Sequence, residues 1–404
     1  MGDSEHDSRY SWARLGISLA LAVIGNIGMW AVIVVLPDMQ ADFGIDRAGA
    51  SLPYVAAMIG FAVGNLTLGP AVDRYGITPV LAAAAAIQAA GFALAALAAS
   101  PLMVTLLHVF LGIGASAAFA PLIADVSQWF LRRRGVAVAI AASGNYLSGT
   151  FWPPVIVWIM ADHGWRGSYL VLAVSILIVV IPGSLLLRRQ IGAIATERAT
   201  QAAAAKAMTT GLPPRTLQLL LMIAGVGCCV AMSMPQVHIV ALCIDRGFGS
   251  VAGAEMLSLM LAGGVVSRLT FGVLADRMGG LKTLLLGAVL QCIALCLFLI
   301  EGGLTSLYIV SLIFGLSQGG IVPSYAIIVR EYMPPREAGK RVGFVMASTI
   351  IGMALGGWLS GWLYDLSGSY ALAIWNGIGW NLITIVITLL ILVRIGTPRA
   401  AAAA

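Results

Sequence analysis

Residues 69–76 read Gly-Pro-Ala-Val-Asp-Arg-Tyr-Gly, and residues 272–279 read Gly-Val-Leu-Ala-Asp-Arg-Met-Gly. The shared pattern is Gly-x-x-x-Asp73-Arg74-x-Gly, repeated as Gly-x-x-x-Asp276-Arg277-x-Gly, at an offset of 203 residues (276 − 73). Two other short matches keep nearly the same spacing. Gly167-Ser-Tyr169 recurs as Gly368-Ser-Tyr370 (370 − 169 = 201), and Pro121 has its counterpart in Pro323. Each match alone is weak, but a constant offset across separate motifs is the mark of an internal repeat. In a chain of 404 residues it splits the sequence into two related halves.

The surroundings of both motifs are apolar. The chain is 60% hydrophobic and 10% charged, against about 25% charged in soluble domains. So much apolar surface cannot be hidden in a soluble protein of this size, so lipid must be the solvent for most of it. Apolar runs of about 20 residues, the length that crosses a bilayer, fall at 14–37, 49–72, 78–99, 102–128, 135–160 and 168–187. After a polar stretch they resume at 216–243, 251–275, 281–300, 304–331, 341–363 and 370–394. These are spans one to twelve. The expected organisation is a first six-helix bundle over 1–187, a cytoplasmic linker over 188–215 and a second six-helix bundle over 216–404.

The basic residues orient these spans. With the N-terminus in the cytoplasm, only Arg47, Arg166 and Arg246 of the 23 Lys and Arg residues fall outside, and one more, Arg268, falls within span eight. The rest, Arg14 and the run Arg132 to Arg134 among them, fall inside. An even number of spans with both termini cytoplasmic follows, and with it a multi-pass protein of the cell inner (plasma) membrane. The net charge of +6 therefore tracks membrane sidedness and gives no ground for a nucleic-acid partner. The partners expected are the lipid bilayer and a small solute, for a chain acting as a monomer.

The repeated loop motif resembles the signature of the major facilitator superfamily, and the resemblance covers essentially the whole chain. It implies the major facilitator fold: an all-α membrane protein of twelve transmembrane helices in two pseudo-symmetric six-helix bundles. It also implies a cytoplasmic gate at Asp73, Arg74, Asp276 and Arg277. Ile77 and Thr78 stand where the family usually has basic residues. A finer resemblance, to the monocarboxylate and oxalate/formate branch, rests on Asp42-Phe-Gly-Ile-Asp-Arg-Ala48, Trp129 to Gly144, Gly164-Trp-Arg-Gly167 and Val237-His238 through Gly247. In that branch the position of Arg268 holds the substrate-binding arginine.

Arg268 is also the sharpest feature on physical grounds. A mid-span arginine costs about 2.5–3.5 kcal/mol to insert, and its donor fork fits a carboxylate in two parallel hydrogen bonds. Positions 264 and 272, one helical turn away, are both Gly. Two readings stand: Arg268 holds an anionic substrate, or it is structural, paired with a carboxylate on another helix or with carbonyl oxygens. Candidate companions lining a cavity are Asn26, Trp30, Phe119, Asn145, Tyr146, Tyr325, Ser348 and Trp375. His238, near the outer end of span seven, is either a substrate ligand or a hydrogen-bonded helix-end histidine. Asp125 and Glu331 belong to the gate charge network rather than to proton carriage.

Two departures from the branch bear on substrate. Gly264 stands where an acidic partner is often kept, span one has no Lys where the branch often keeps one, and span eleven from Val342 to Leu363 has no second basic residue of the kind the oxalate/formate relatives use. One intramembrane cation matches one carboxylate, so small monocarboxylates such as lactate or pyruvate are expected rather than dicarboxylates. Protons are an open co-substrate implied by the resemblance. No catalytic constellation, metal-ligand spacing or nucleotide-binding loop is present in the sequence, and no cofactor is expected. The five cysteines read as small buried hydrophobes. The alternatives are a transporter of the same fold for a drug-like or dicarboxylate solute, a non-transporting sensor, and a membrane enzyme.

Overall fold

The computed structural model describes residues 6–130, 133–189, 212–300, 302–333 and 335–396. The linker expected over 188–215 is thus described only at its two ends. Arg132, Arg198, Lys206 and Arg399 of the charge census lie outside the described residues, as do the side chains of Asp73, Arg134, Asp276, Arg330 and residues 335–340.

All described elements are helices: α1 Arg9–Gly25, α2 Ile27–Phe43, α3 Arg47–Tyr75, α4 Ile77–Ala96, α5 Pro101–Ala117, α6 Ala120–Gln128, α7 Arg134–Leu185, α8 Pro214–Asp245, α9 Gly249–Met278, α10 Gly280–Phe298, α11 Leu304–Gln318, α12 Ile321–Tyr332, α13 Pro335–Ser367 and α14 Ala371–Gly396. They form 11 segments long and apolar enough to cross a membrane. One of these, Val136–Leu185, has 50 residues, far more than one crossing needs. It is interrupted at Gly164, whose backbone stands at φ 64° and ψ −178°, and so comprises spans five and six. The crossings among the described residues are therefore twelve.

Three spans are each built from two helices. Span one breaks at Asn26 between α1 and α2, span four at Ala118 and Phe119 between α5 and α6, and span ten at Gly319 and Gly320 between α11 and α12. Inside a bilayer a broken helix leaves carbonyls that other protein groups must satisfy, and these breaks shape the site below. The first helix also starts earlier than the apolar run. Ser8 caps it by accepting from the Ser11 backbone N–H, which carries Arg14 into the bundle.

The repeat is visible in the packing. Gln88 on α4 donates to the Gly25 carbonyl at 3.0 Å, and Gln291 on α10 donates to the Cys228 carbonyl at 3.0 Å. Both members of the second pair lie 203 residues after those of the first (291 − 88, 228 − 25). In the same way, a Cβ added at Gly112 would collide with the Ala57 carbonyl, and one added at Gly315 with the Met260 carbonyl. Spans two and four therefore approach as spans eight and ten do, backbone against backbone, which small residues permit.

The loop motifs end on equivalent turns. Gly76 has φ 82° and ψ 166°, and Gly279 has φ 81° and ψ 160°, a region open to Gly almost alone. This is why the pattern closes on glycine in both halves. Gly76→Ala is expected to lower stability by about 1–3 kcal/mol, read as a fall in melting temperature of the detergent-purified protein. An unchanged melting temperature would mean that this turn is not held in the left-handed region.

Across the seam, spans five and eight pack together, as do spans two and eleven. The second pair converges at the end opposite the loop motifs. There a Cβ on Gly357 would sit 2.8 Å from the Tyr54 ring, and one on Gly361 would sit 2.9 Å from the Arg47 carbonyl. At the loop-motif end, Gly69, Gly272 and Gly343 have nothing within 4 Å of an added Cβ. A cavity of about 710 Å³ opens at this end, lined by Arg14, Arg74, Thr78, Pro121, Asp125 and Arg188 among others. The seam is closed at the end opposite the loop motifs, and the cavity at the loop-motif end lies within the first half.

Candidate functional site: a buried arginine at the seam of the halves

Span eight is α9, and Arg268 on it is 6% exposed. Its Nε donates to the Gly319 carbonyl at 3.3 Å and its Nη1 to the Ala142 carbonyl at 2.5 Å. The guanidinium carbon lies 4.0 Å from the centre of the Tyr146 ring, within cation–π distance. Gly319 is free to accept because the residue four places on is Pro323, which has no N–H to fill that carbonyl. The proline matched between the halves thus acquires a local role. Ala142 and Tyr146 belong to span five, so one arginine on the second half reaches the first.

Carbonyl oxygens and an aromatic face solvate the guanidinium but do not neutralise it. Among the described residues no carboxylate pairs with Arg268; the ion pairs found are Arg14–Asp125, Arg47–Asp245 and Arg166–Asp42. Gly264 is what lets the Tyr146 ring approach, since a Cβ there would lie 2.8 Å from two ring carbons. The position where the resemblance leads one to expect an acid is therefore filled by an aromatic from the other half.

Several other candidates join this contact through the first half. The Asn26 amide, fully buried, donates to the carbonyls of Ala22 and Ala118 at 2.8 and 3.1 Å, and so fills the break in span four. Its oxygen accepts from Asn145 at 3.0 Å, and Trp30 donates to the Asn145 carbonyl at 2.9 Å. Asn26, Trp30 and Asn145 are thus committed to holding spans one, four and five, beside Tyr146. Asn26→Leu is expected to cost about 1–3 kcal/mol of stability, since it leaves the buried Ala118 carbonyl and the Asn145 amide without this partner. A melting temperature equal to the parent's would contradict that assignment.

The remaining candidates are more scattered. Phe119 sits at the break in span four with its ring 5.8 Å from Phe61. Tyr325 donates to Cys228 Sγ at 3.3 Å, and Ser348 donates to Val345 of its own helix at 2.7 Å. Trp375 is a correction: it is 58% exposed and outside this buried set. Among the described residues span twelve packs chiefly on spans seven, nine and eleven, and it turns Trp375 away from the seam. His238 is fully buried and bridges Tyr370, at 3.2 Å, and the Gly357 carbonyl, at 2.7 Å. Both its nitrogens are engaged.

Three of the four stretches that carry the finer resemblance lie at the closed end. Asp42 pairs with Arg166 and accepts from the Trp165 indole. Asp46 caps α3 by accepting from Gly49 at 2.7 Å. Arg47 then reaches across the seam, donating to Asp245 at 3.1 Å and to the Tyr370 hydroxyl at 3.1 Å, with its guanidinium 4.8 Å from the Tyr364 ring. Asp365 accepts from the backbone N–H groups of Arg47 and Ala48, the favourable place for an anion at a helix N-terminus. Sequence reasoning counted Arg47 only as a residue outside the membrane; its partners lie some two hundred or more positions away, beyond the reach of any local pattern.

At the other end, Arg14 is 2% exposed in its side chain and makes a two-pronged pair with Asp125 at 2.8 Å. Glu331 accepts from the Gly280 N–H at the start of α10. Arg74 and Arg277 are exposed, Arg74 in the lining of the cavity at this end.

The profile of the Major Facilitator Superfamily matches residues 18–266 and again residues 221–403. The chain belongs to the major facilitator superfamily. This major facilitator transporter is 26% identical over 364 residues to Monocarboxylate transporter 13 of Rattus norvegicus, covering 87% of the chain and 81% of the relative. It is 26% identical over 385 residues to Monocarboxylate transporter 11 of Homo sapiens, covering 90% and 79%. It is 25% identical over 173 residues to a gallate transporter of Pseudomonas putida, covering 42% and 38%. The facilitator is a multi-pass membrane protein, and its similar proteins are named as transporters rather than as enzymes.

Proposed function

We propose that this chain is a secondary active transporter that carries small monocarboxylates, lactate- or pyruvate-like anions, by alternating access. It acts as a monomer in the cell inner membrane with both termini cytoplasmic. The observation that carries the reading is Arg268: a buried cation, with no carboxylate partner among the described residues, on the contact between two halves that must rock against each other. An incoming carboxylate replaces one carbonyl contact with a charge-assisted pair, and it removes a positive charge that is expensive in a closed, dry space. The relatives named for monocarboxylates support the same substrate class.

In this orientation the closed end is extracellular, and Arg47 with Asp245, Asp365 and Tyr370 forms an outer latch. The opposite end is cytoplasmic, and Asp73, Arg74, Asp276 and Arg277 form the gate there. The test is uptake into proteoliposomes: labelled lactate or pyruvate accumulates above protein-free vesicles. No uptake of any short monocarboxylate would overturn the reading.

A second reading draws on the bond from Arg268 to Ala142. Arg268 is then a clamp between spans five and eight, in a transporter of another solute. Coupling separates further mechanisms. Alkalinisation of the outer medium on adding acid means proton symport; constant pH under confirmed uptake means uniport or exchange. The surroundings of Arg268, without a neighbouring carboxylate among the described residues, favour the second outcome.

A further inference from the structure

Span seven carries Gln236 immediately after Pro235, and span ten carries Gln318 immediately before the break at Gly319. Both amides are buried, at 2% and 0% exposure. Gln236 Nε2 donates to Gln318 Oε1 at 2.7 Å. That single bond leaves Gln318 Nε2, a two-proton donor, without a partner among the described residues. An unmade buried donor costs about 1–3 kcal/mol, so such a group calls for an acceptor that the protein itself does not supply.

The acceptor's place is set by the neighbours. Gln318 precedes Gly319, whose carbonyl takes Arg268 Nε. Gln236 faces the Tyr146 hydroxyl, and the ring of that tyrosine lies under the Arg268 guanidinium. The guanidinium, the Tyr146 ring and the amide pair are therefore consecutive parts of one buried cluster at the seam. It holds a cation and, on the far side of Tyr146 through Gln236, an uncharged donor in excess. An unsubstituted aliphatic acid would satisfy the first and leave the second orphaned. An acid with a carbonyl or hydroxyl oxygen on C2 would satisfy both, because that oxygen lies beside the carboxylate.

We infer that Gln318, held by Gln236, donates to the C2 oxygen of the substrate and makes the carrier selective for 2-oxo and 2-hydroxy monocarboxylates over plain aliphatic ones. The inference rests on the reading of Arg268 as the carboxylate anchor. Sites built to donate to a substrate oxygen reject analogues that lack it, since the donor is then left unpaired.

The test is uptake of labelled pyruvate and labelled propionate by the full-length parent and by Gln318→Met in proteoliposomes. The parent is expected to transport pyruvate with a KM about tenfold or more below that for propionate, and Gln318→Met is expected to raise the pyruvate KM about tenfold while leaving propionate near the parent value. Should Gln318→Met not yield folded protein, Gln318→Ala removes the donor with a smaller side chain and adds no charge. It is expected to lose pyruvate preference in the same way. A pyruvate-to-propionate ratio unchanged in a transporting variant overturns the selectivity assignment alone, as does a parent that takes both acids equally. A parent that transports neither acid overturns the monocarboxylate reading itself.

Discussion

Arg268→Ala is expected to lower the transport efficiency of a monocarboxylate by two orders of magnitude or more without lowering the stability of the protein. A guanidinium–carboxylate pair makes two charge-assisted bonds of about 1.5–3 kcal/mol each, and Ala makes neither. Arg268→Lys keeps the charge and loses the planar fork, so it restores only part of the activity. Stability runs the other way. A buried cation at mid-span is unfavourable by about 2.5–3.5 kcal/mol, and two carbonyls and one ring return only part of that. Its removal is therefore expected to leave the melting temperature unchanged or raise it. The clamp reading predicts the opposite, because the bond from Arg268 to Ala142 would then be holding spans five and eight. Parallel measurements of uptake and melting temperature for Arg268→Ala separate the two readings.

Arg47→Ala has the second largest expected effect, on the balance of conformations. The residue contributes an ion pair with Asp245 and a bond to Tyr370, both from the first half to the second. Asp245 is partly exposed, so the loss is placed at about 1.5–3 kcal/mol. At about 1.4 kcal/mol per factor of ten, the equilibrium between closed and open outer ends shifts tenfold or more toward open. Ser51 reports this: it is fully buried and its Oγ lies 3.0 Å from where a Cβ on Gly361 would stand. In a background with the native cysteines replaced, Ser51→Cys is expected to react at least tenfold faster with an impermeant maleimide when Arg47 is Ala. An unchanged rate would show that Arg47 does not hold that end shut.

The same latch accounts for His238. Its imidazole joins the Gly357 backbone to Tyr370, and Tyr370 in turn receives Arg47. The choice between substrate ligand and hydrogen-bonded helix-end histidine was open in the sequence; the geometry places His238 in the group that ties span seven to spans eleven and twelve.

Much of the fold was legible because it rests on quantities that survive averaging. Twelve apolar runs and a constant repeat offset each sum many residues, and the repeat reappears as matched contacts at Gln88 and Gln291. Span lengths alone could not show the breaks at Asn26, Ala118 and Gly319, since hydropathy is the same for a continuous and an interrupted helix. Those breaks decide where carbonyls are free, and hence what Arg268 and Asn26 bond.

The proposed site shows in the sequence through its charge and not through its amides. Arg268 stands out because a cation inside a span is rare, whereas Gln236 and Gln318 are uncharged and sit in apolar runs like any small polar residue. What exposed them was a buried donor left over after pairing, which only coordinates reveal. Trp375 failed for a related reason. An aromatic residue is equally compatible with a lipid-facing and an inward-facing position, and the packing of span twelve chose the former.

The most direct measurement is a structure of the purified transporter with a bound short monocarboxylate. The account predicts the carboxylate within about 3 Å of the Arg268 guanidinium, with at least one of the contacts to Gly319 and Ala142 given up to it. An acid bound elsewhere, with Arg268 still on both carbonyls, would contradict it.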